Sequence, residues 1–191
     1  MSKTSLYDLD ARIASAVFTA IDDVNQMLPQ EYWLAKSQET PILGATAVLD
    51  SMGFVNLVAA VEEMPADKFG YKPTPQQMSF AHLVLHMTES NYGLCAKASD
   101  MPQPKHDELK DTDGKDKLLA ALKSSFDFCN TALAKVDDSK LGDTIEAWGG
   151  RKEPRAWALI ALTNDWADHY SAAAMYLRLN GLLPPTAQPK K

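Results

Sequence analysis

The sequence predicts an all-α protein, a four-helix bundle with an additional N-terminal helix and long crossover loops. Apolar residues recur at i, i+3, i+4 and i+7 in five long segments, which is the spacing of an amphipathic helix. Segments rich in Pro and Gly separate these helices, and no segment alternates with the period of a strand for long enough to build a sheet. The five predicted helices comprise about residues 6–28, 45–64, 76–99, 115–136 and 154–180.

Turn-forming residues mark the ends of these helices. Pro29 stops the first helix, and Gly181 supplies the left-handed residue that ends the last one. The linker 65–75 contains aromatic residues with which we expect it to pack on the bundle, whereas we expect loop 100–114 to be solvated. Residues 137–153 are less regular and predict either a short strand with a tight turn or a loop folded over the bundle mouth.

The length and the boundaries between segments predict one folded domain with short additions. A chain of 191 residues has enough material for a single sizeable core. We assign residues 1–44 to the N-terminal helix and its connector, residues 45–185 to the bundle, and residues 186–191 to a tail.

Composition excludes some classes of partner. The net charge of −6, with no basic cluster, argues against nucleic-acid binding. No run of residues approaches the roughly 18 apolar positions of a membrane span, and the N-terminal segment lacks the pattern of a signal peptide. We therefore expect a cytoplasmic protein with no membrane partner.

The two cysteines, Cys95 and Cys129, form neither a disulfide framework nor a zinc-like pair. Both lie within predicted helices. Since free cysteine is often buried, we expect two small core side chains rather than a disulfide.

The last predicted helix carries two ionisable residues on its apolar face, Asp165 and His169, four positions apart. A lone buried carboxylate costs several kcal/mol, so Asp165 needs a partner. An i, i+4 pair suits chelation of one ion, and His82 and His86 form a second such pair on the third helix. Alternatively, His169 hydrogen-bonds Asp165 or a nearby backbone carbonyl, while His82 is solvated.

Two blocks of the sequence resemble a known family. Residues 64–95, and residues 164–185 with their His-Tyr followed by Tyr-Leu-Arg-Leu-x-Gly-x-x-Pro-Pro, are similar to the DinB-like (YfiT-type) metalloproteins. The resemblance covers roughly residues 45–185. It implies a four-helix bundle that binds one divalent metal ion through three side chains.

The resemblance also implies which residues hold the metal. The family's histidine in the second bundle helix falls on His86, and its His-x3-His pair in the last helix falls on Asp165 and His169. Asp165 thus departs from the family pattern. A carboxylate is a competent ligand, and a two-His, one-carboxylate set does not distinguish Zn, Fe, Mn or Ni. The same departure could mark a site that has lost its metal. His82 is expected to line the mouth of the site.

Relatives in this family use a metal to activate a low-molecular-weight thiol, as in thiol S-transferases and the mycothiol-dependent maleylpyruvate isomerase, and others resemble metal-dependent hydrolases. The resemblance therefore implies a metal-dependent thiol transferase or hydrolase, with a thiol or another small molecule as substrate. The alternative is a non-catalytic, dimeric binding or stress-response module with a structural or lost metal site. In either case we expect a homodimer.

For the polar residues near this site, a structural role has to be weighed against a functional one. Glu89 and Asn91 would orient a ligand or line the pocket, with exposure to solvent as the alternative for Glu89, and Tyr170 would cap the pocket. His106 is expected to be an ordinary surface histidine, and Arg178 to complement the end of the last helix. Three tryptophans are expected to pack rather than to bind a ligand: Trp148, Trp157 and Trp166.

Overall fold

The computed structural model describes residues 48–188. Over this range it contains four α-helices and a two-stranded hairpin, which confirms the all-α bundle. The helix predicted for residues 6–28, its connector and the last three residues lie outside the described range, so the predicted domain boundaries stay predictions. The elements are α1 (Val48–Glu63), α2 (Phe80–Ser99), α3 (Lys115–Leu133), β1 (Thr144–Glu146), β2 (Lys152–Pro154) and α4 (Ala156–Leu179).

Helix α2 is central and packs against both α3 and α4. It runs antiparallel to α4, since Tyr176 Oη donates to Met78 O (2.7 Å) at one end of the pair. At the other end Arg155 Nη1 donates to Lys97 O (3.0 Å). The core between the helices is apolar and includes residues that are 2% exposed or less, among them Leu57, Phe80, Met87, Leu122, Leu162 and Leu177. None of the described helices is long and apolar enough to cross a membrane.

Helix α2 begins at Phe80, four residues later than the predicted start at Gln76. The reason is a cap, because Ser79 has extended backbone angles and its hydroxyl accepts a hydrogen bond from His82 N at 3.1 Å. Before it, the linker 65–75 packs on the core through its aromatic rings, as predicted. Phe69 is buried edge-on against Phe80, with ring centroids 5.3 Å apart.

Of the two alternatives for residues 137–153, the structure contains the strand with a tight turn. Strands β1 and β2 are antiparallel, with Ile145 opposite Glu153. Gly149 and Gly150 between them have φ of 70° and 75°, a conformation that favours glycine. Helix α4 therefore begins at Ala156 rather than at Pro154, which is the last residue of β2. Similarly, α3 ends three residues before the predicted Val136.

The prediction of two free cysteines is wrong, because a disulfide joins Cys95 on α2 to Cys129 on α3. Both residues are buried, as expected, and their Cα atoms lie 5.2 Å apart, within the range that a disulfide requires. The disulfide links two helices across the loop 100–114.

Candidate metal centre

The antiparallel packing of α2 and α4 brings His86 together with Asp165 and His169. One ligand atom from each residue lies within 4.8 Å of those of the other two. His86 Nε2 is 4.0 Å from Asp165 Oδ1, and the rings of His86 and His169 are 4.8 Å apart between centroids. Ligands of one tetrahedral ion with bonds near 2.0–2.1 Å lie about 3.4 Å apart, so small side-chain adjustments would bring these atoms to coordination distance. We call these three residues the His–Asp cluster.

His169 is fixed by a hydrogen bond within its own helix. The residue is 8% exposed, and its Nδ1 lies 2.6 Å from the backbone oxygen of Asp165. A carbonyl oxygen can only accept, so Nδ1 donates and Nε2 carries the lone pair. A backbone hydrogen bond of this kind orients histidines that bind metals. The alternative hydrogen bond considered for His169 thus exists, but it occupies one ring nitrogen and leaves the other for a ligand.

The carboxylate of Asp165 is largely buried with incomplete hydrogen bonding. Its side chain is 16% exposed, and its Oδ2 is buried without a hydrogen-bond partner among the described residues. Burial raises the pKa of Asp165 above its ordinary value, and the charges of His169 and His86 offset part of that increase. A buried oxygen without a donor is costly, and a bound cation would satisfy it.

His86 closes the cluster on its open side. Its side chain is 47% exposed. Partial burial and the neighbouring His169 lower the pKa of His86 below its ordinary value of 6.5. A lowered pKa keeps the imidazole neutral at pH 7, and the neutral ring is the form that binds a metal ion.

The other predicted residues lie around the cluster or away from it. His82 is half exposed, with Nδ1 3.8 Å from Asp111 Oδ2. Glu89 lies 3.7 Å from His106 Nε2, so it does not orient a ligand of the cluster. His106 is more engaged than an ordinary surface histidine, because its ring stacks on Tyr92 at 4.6 Å.

Further residues take structural roles. Asn91 lies in the core, not in a pocket, and accepts a hydrogen bond from Trp166 Nε1 at 2.7 Å. Tyr170 bonds the Thr186 hydroxyl at 2.7 Å. Arg178 lies in the last turn of α4, as predicted, where its Nη1 is 3.5 Å from Ala174 O.

The sequence interpretation gave no role to Ser90, whose side chain interacts with Asp165 and lowers its pKa. Ser90 is buried and follows His86 by four residues, hence lies on the same face of α2. That spacing was the available signal.

Comparison with known proteins agrees with the fold. The DinB superfamily matches residues 53–172 of this chain. A DinB-like protein from Bacillus subtilis is 21% identical, with a TM-score of 0.57 and a match covering 72% of this chain and 94% of that chain. A DinB-like protein from Bacillus cereus is 14% identical, with a TM-score of 0.58 and coverage of 71% and 90%. No curated protein matches the chain. Because the family match spans more than half of its residues, the chain belongs to the DinB superfamily.

Proposed function

We propose that this protein binds one divalent metal ion through His86, Asp165 and His169, and uses it in chemistry on a small molecule, as a thiol transferase or a hydrolase. One observation carries the proposal. Three potential ligand atoms lie within 4.8 Å of one another, and beside them Asp165 Oδ2 is buried with no hydrogen-bond partner among the described residues. A cation at this point would satisfy the oxygen and require no new fold.

The donor set suits a transition metal with a free coordination position. Two imidazoles and one carboxylate are ligands that Zn, Fe, Mn and Ni accept, so the residues do not choose among these ions. When bound through three side chains, such an ion supplies Lewis acidity that polarises a carbonyl or lowers the pKa of a water or thiol toward neutrality. The exposed side of His86 supports access for a small molecule from solvent.

The residues of the chain would divide the remaining work. The hydrogen bond to the Asp165 carbonyl holds the ring of His169 in one tautomer. Ser90 favours the charged form of Asp165, which is the form a metal requires. His82 precedes His86 by one turn and is half exposed, so it is our candidate for accepting a proton from a substrate at the mouth of the site.

Metal analysis of protein purified without added chelator tests the site. We expect one equivalent of a divalent metal in the wild type, and affinity lowered at least about 100-fold in His86→Ala, Asp165→Ala and His169→Ala. His82→Ala and His106→Ala are matched controls, since both remove an imidazole nearby, and should retain the metal. Protein without stoichiometric metal, or metal content unaffected by the three ligand substitutions, would contradict the proposal.

A second measurement separates a catalytic ion from a structural one. If the site is catalytic, the circular dichroism spectrum should survive chelation, whereas transfer of a low-molecular-weight thiol or hydrolysis of an activated ester should stop and return when metal is added. Unfolding on chelation, or the same activity in His169→Ala, would instead favour a structural ion.

A further inference from the structure

A surface cavity of about 570 Å³ lies beside α2, beyond the His–Asp cluster. Its lining includes Gly93, Lys97, Asp100, Met101, Gln103 and Trp148. The volume falls in the range of small-molecule sites, about 300–1,000 Å³. The cavity is open, so a ligand could enter from solvent without moving the helices.

The indole of Trp148 is held against α2 but half exposed. It follows β1 and precedes two glycines of positive φ, and its ring meets Trp157 edge-on at 5.6 Å between centroids. A Cβ built on Gly93 would lie 3.8 Å from Trp148 Cζ2, so the indole packs directly over the helix backbone at Gly93. Trp148 nevertheless remains 50% exposed. A fixed, exposed indole is a surface on which a flat ring can stack.

The charges around the cavity favour an anion. Lys97 Nζ donates to the backbone oxygen of Glu146 at 2.6 Å, which fixes the ammonium and uses one of its three N–H groups. The lining also contains the carboxylate of Asp100, and its charge is paired, because Arg155 Nη2 donates to it at 2.6 Å. Lys97 is therefore the positive charge in the lining with donors to spare.

The position of the cavity relates it to the His–Asp cluster. Gly93 and Lys97 follow His86 by seven and eleven residues, and both spacings return to nearly the same face of a helix. At 1.5 Å per residue they lie about 10 Å and 16 Å from His86 along the axis of α2. A small elongated molecule held at Lys97 and Trp148 would extend along this face toward His86.

We propose that this cavity binds a small aromatic carboxylate, with its ring stacked on Trp148 and its carboxylate bonded to Lys97. The binding itself does not need a metal. Only the further step, that the bound molecule is the substrate whose other end reaches the His–Asp cluster, rests on the proposed function.

Titration of the metal-free protein followed by NMR or calorimetry tests the binding, with 2-naphthoate, its neutral amide 2-naphthamide, and acetate as probes. A ligand of this size is expected to bind with a Kd of about 1 mM. The amide and acetate should bind at least about fivefold more weakly, because each lacks one of the two interactions. Trp148→Ala should weaken 2-naphthoate binding about tenfold, and Lys97→Met should reduce it to the level of the amide.

Controls make the result specific. Lys97→Arg keeps the charge and should retain binding, and Ile160→Ala removes another exposed apolar side chain and should have no effect. Circular dichroism checks that Trp148→Ala is folded. The proposal is overturned if 2-naphthoate does not bind, or if its affinity is the same in Trp148→Ala and Lys97→Met as in the wild type.

The same titration separates this proposal from the metal site. Binding of 2-naphthoate to the His169→Ala variant, with unchanged affinity, would support the cavity even if no metal binds to the wild type. Conversely, if the metal-loaded wild type does not bind 2-naphthoate, the cavity proposal is overturned and the proposed metal site is unaffected.

Discussion

Two polar clusters lie within about one and a half turns of each other on α2 and α4, and they differ in how far their hydrogen bonds are satisfied. The first, which we call the amide cluster, consists of Asn91, Ser125 and Trp166. Asn91 is fully buried, yet its Nδ2 donates to Ser125 Oγ at 2.9 Å and its Oδ1 accepts from Trp166 Nε1 at 2.7 Å. The Ser125 hydroxyl donates in turn to Leu122 O at 2.7 Å. This cluster uses its polar groups to join three helices.

The His–Asp cluster is incomplete by comparison. Asp165 is adjacent to Trp166 in sequence, but its Oδ2 is buried without a partner within residues 48–188, and the half-exposed His86 leaves one side of the cluster open. Folding normally pairs buried polar groups, and the amide cluster shows that this bundle can do so a turn away. The unpaired oxygen supports the proposed metal site, since structures depart from local satisfaction chiefly at functional sites.

The largest change in stability should come from loss of the disulfide, which lies near the amide cluster. The disulfide lies one turn beyond the amide cluster, at Cys95 and Cys129, and closes a sequence separation of 34 residues. Its loss is expected to lower the free energy of unfolding by about 3–4 kcal/mol, because the unfolded chain regains loop entropy. We expect a reductant to lower Tm in the wild type and to leave the Cys95→Ala/Cys129→Ala variant unaffected. If the reductant did not change the Tm of the wild type, the Cys95–Cys129 disulfide would be disproved.

Added metal should act through the His–Asp cluster alone. An ion that binds only the native state raises stability by about 2.7 kcal/mol at a concentration 100 times its Kd. Thermal shifts with and without Zn²⁺ measure this increment. It should persist in Asn91→Ala, whose amide cluster is broken, and vanish in His169→Ala. An increment lost in both variants would mean that the clusters are not independent.

Breaking the amide cluster should cost somewhat less. Asn91→Ala leaves Trp166 Nε1 and the Ser125 hydroxyl with unmet hydrogen bonds, for which we expect a loss of about 2 kcal/mol in urea unfolding. Trp166→Phe removes the indole N–H that Asn91→Ala leaves unpaired, so the double variant should lose less than the sum of the two single variants. For contrast, His86→Ala truncates a half-exposed side chain and should change metal-free stability by about 0.5 kcal/mol or less. If the stability losses of Asn91→Ala and Trp166→Phe were strictly additive, the two side chains would not be coupled as the amide cluster requires.

The sequence allowed prediction of the fold, because long amphipathic periods depend only on local spacing. It also singled out His86, Asp165 and His169, which resemblance to the family aligned and which the antiparallel packing of α2 and α4 brings together. The predicted start of α2 at Gln76 was four residues too early. The correct start could have been inferred, since a serine directly before an apolar run, as Ser79 is, is a common helix cap.

What escaped prediction depends on the orientation of one helix relative to another. Cys95 and Cys129 are far apart in sequence, and nothing local shows that their side chains face each other across α2 and α3. The same holds for the bond between Asn91 and Trp166. Leu179 continues the apolar spacing of the last helix but is 53% exposed, because it lies in the final turn of α4.

The last prediction is a small effect, and it concerns a substitution that should stabilise the metal-free protein. Burial raises the pKa of Asp165, so its folded-state pKa exceeds the unfolded one and its ionised form at pH 7 destabilises the metal-free protein. Asp165→Asn removes that charge, and we expect the free energy of unfolding to rise by about 0.5–1 kcal/mol at pH 7. The gain should shrink as the pH falls through the folded-state pKa and disappear below the unfolded value, where Asp165 is protonated in both states. Urea unfolding of both proteins between pH 7 and pH 3 measures this gain in stability.

The same substitution, Asp165→Asn, should weaken metal binding, because a neutral amide is a poorer ligand than a carboxylate. A variant that gains stability while losing metal would show that the carboxylate is kept for its ligand at the expense of the fold; a loss of stability at pH 7 would mean instead that Asp165 is a structural member of the bundle, like Asn91.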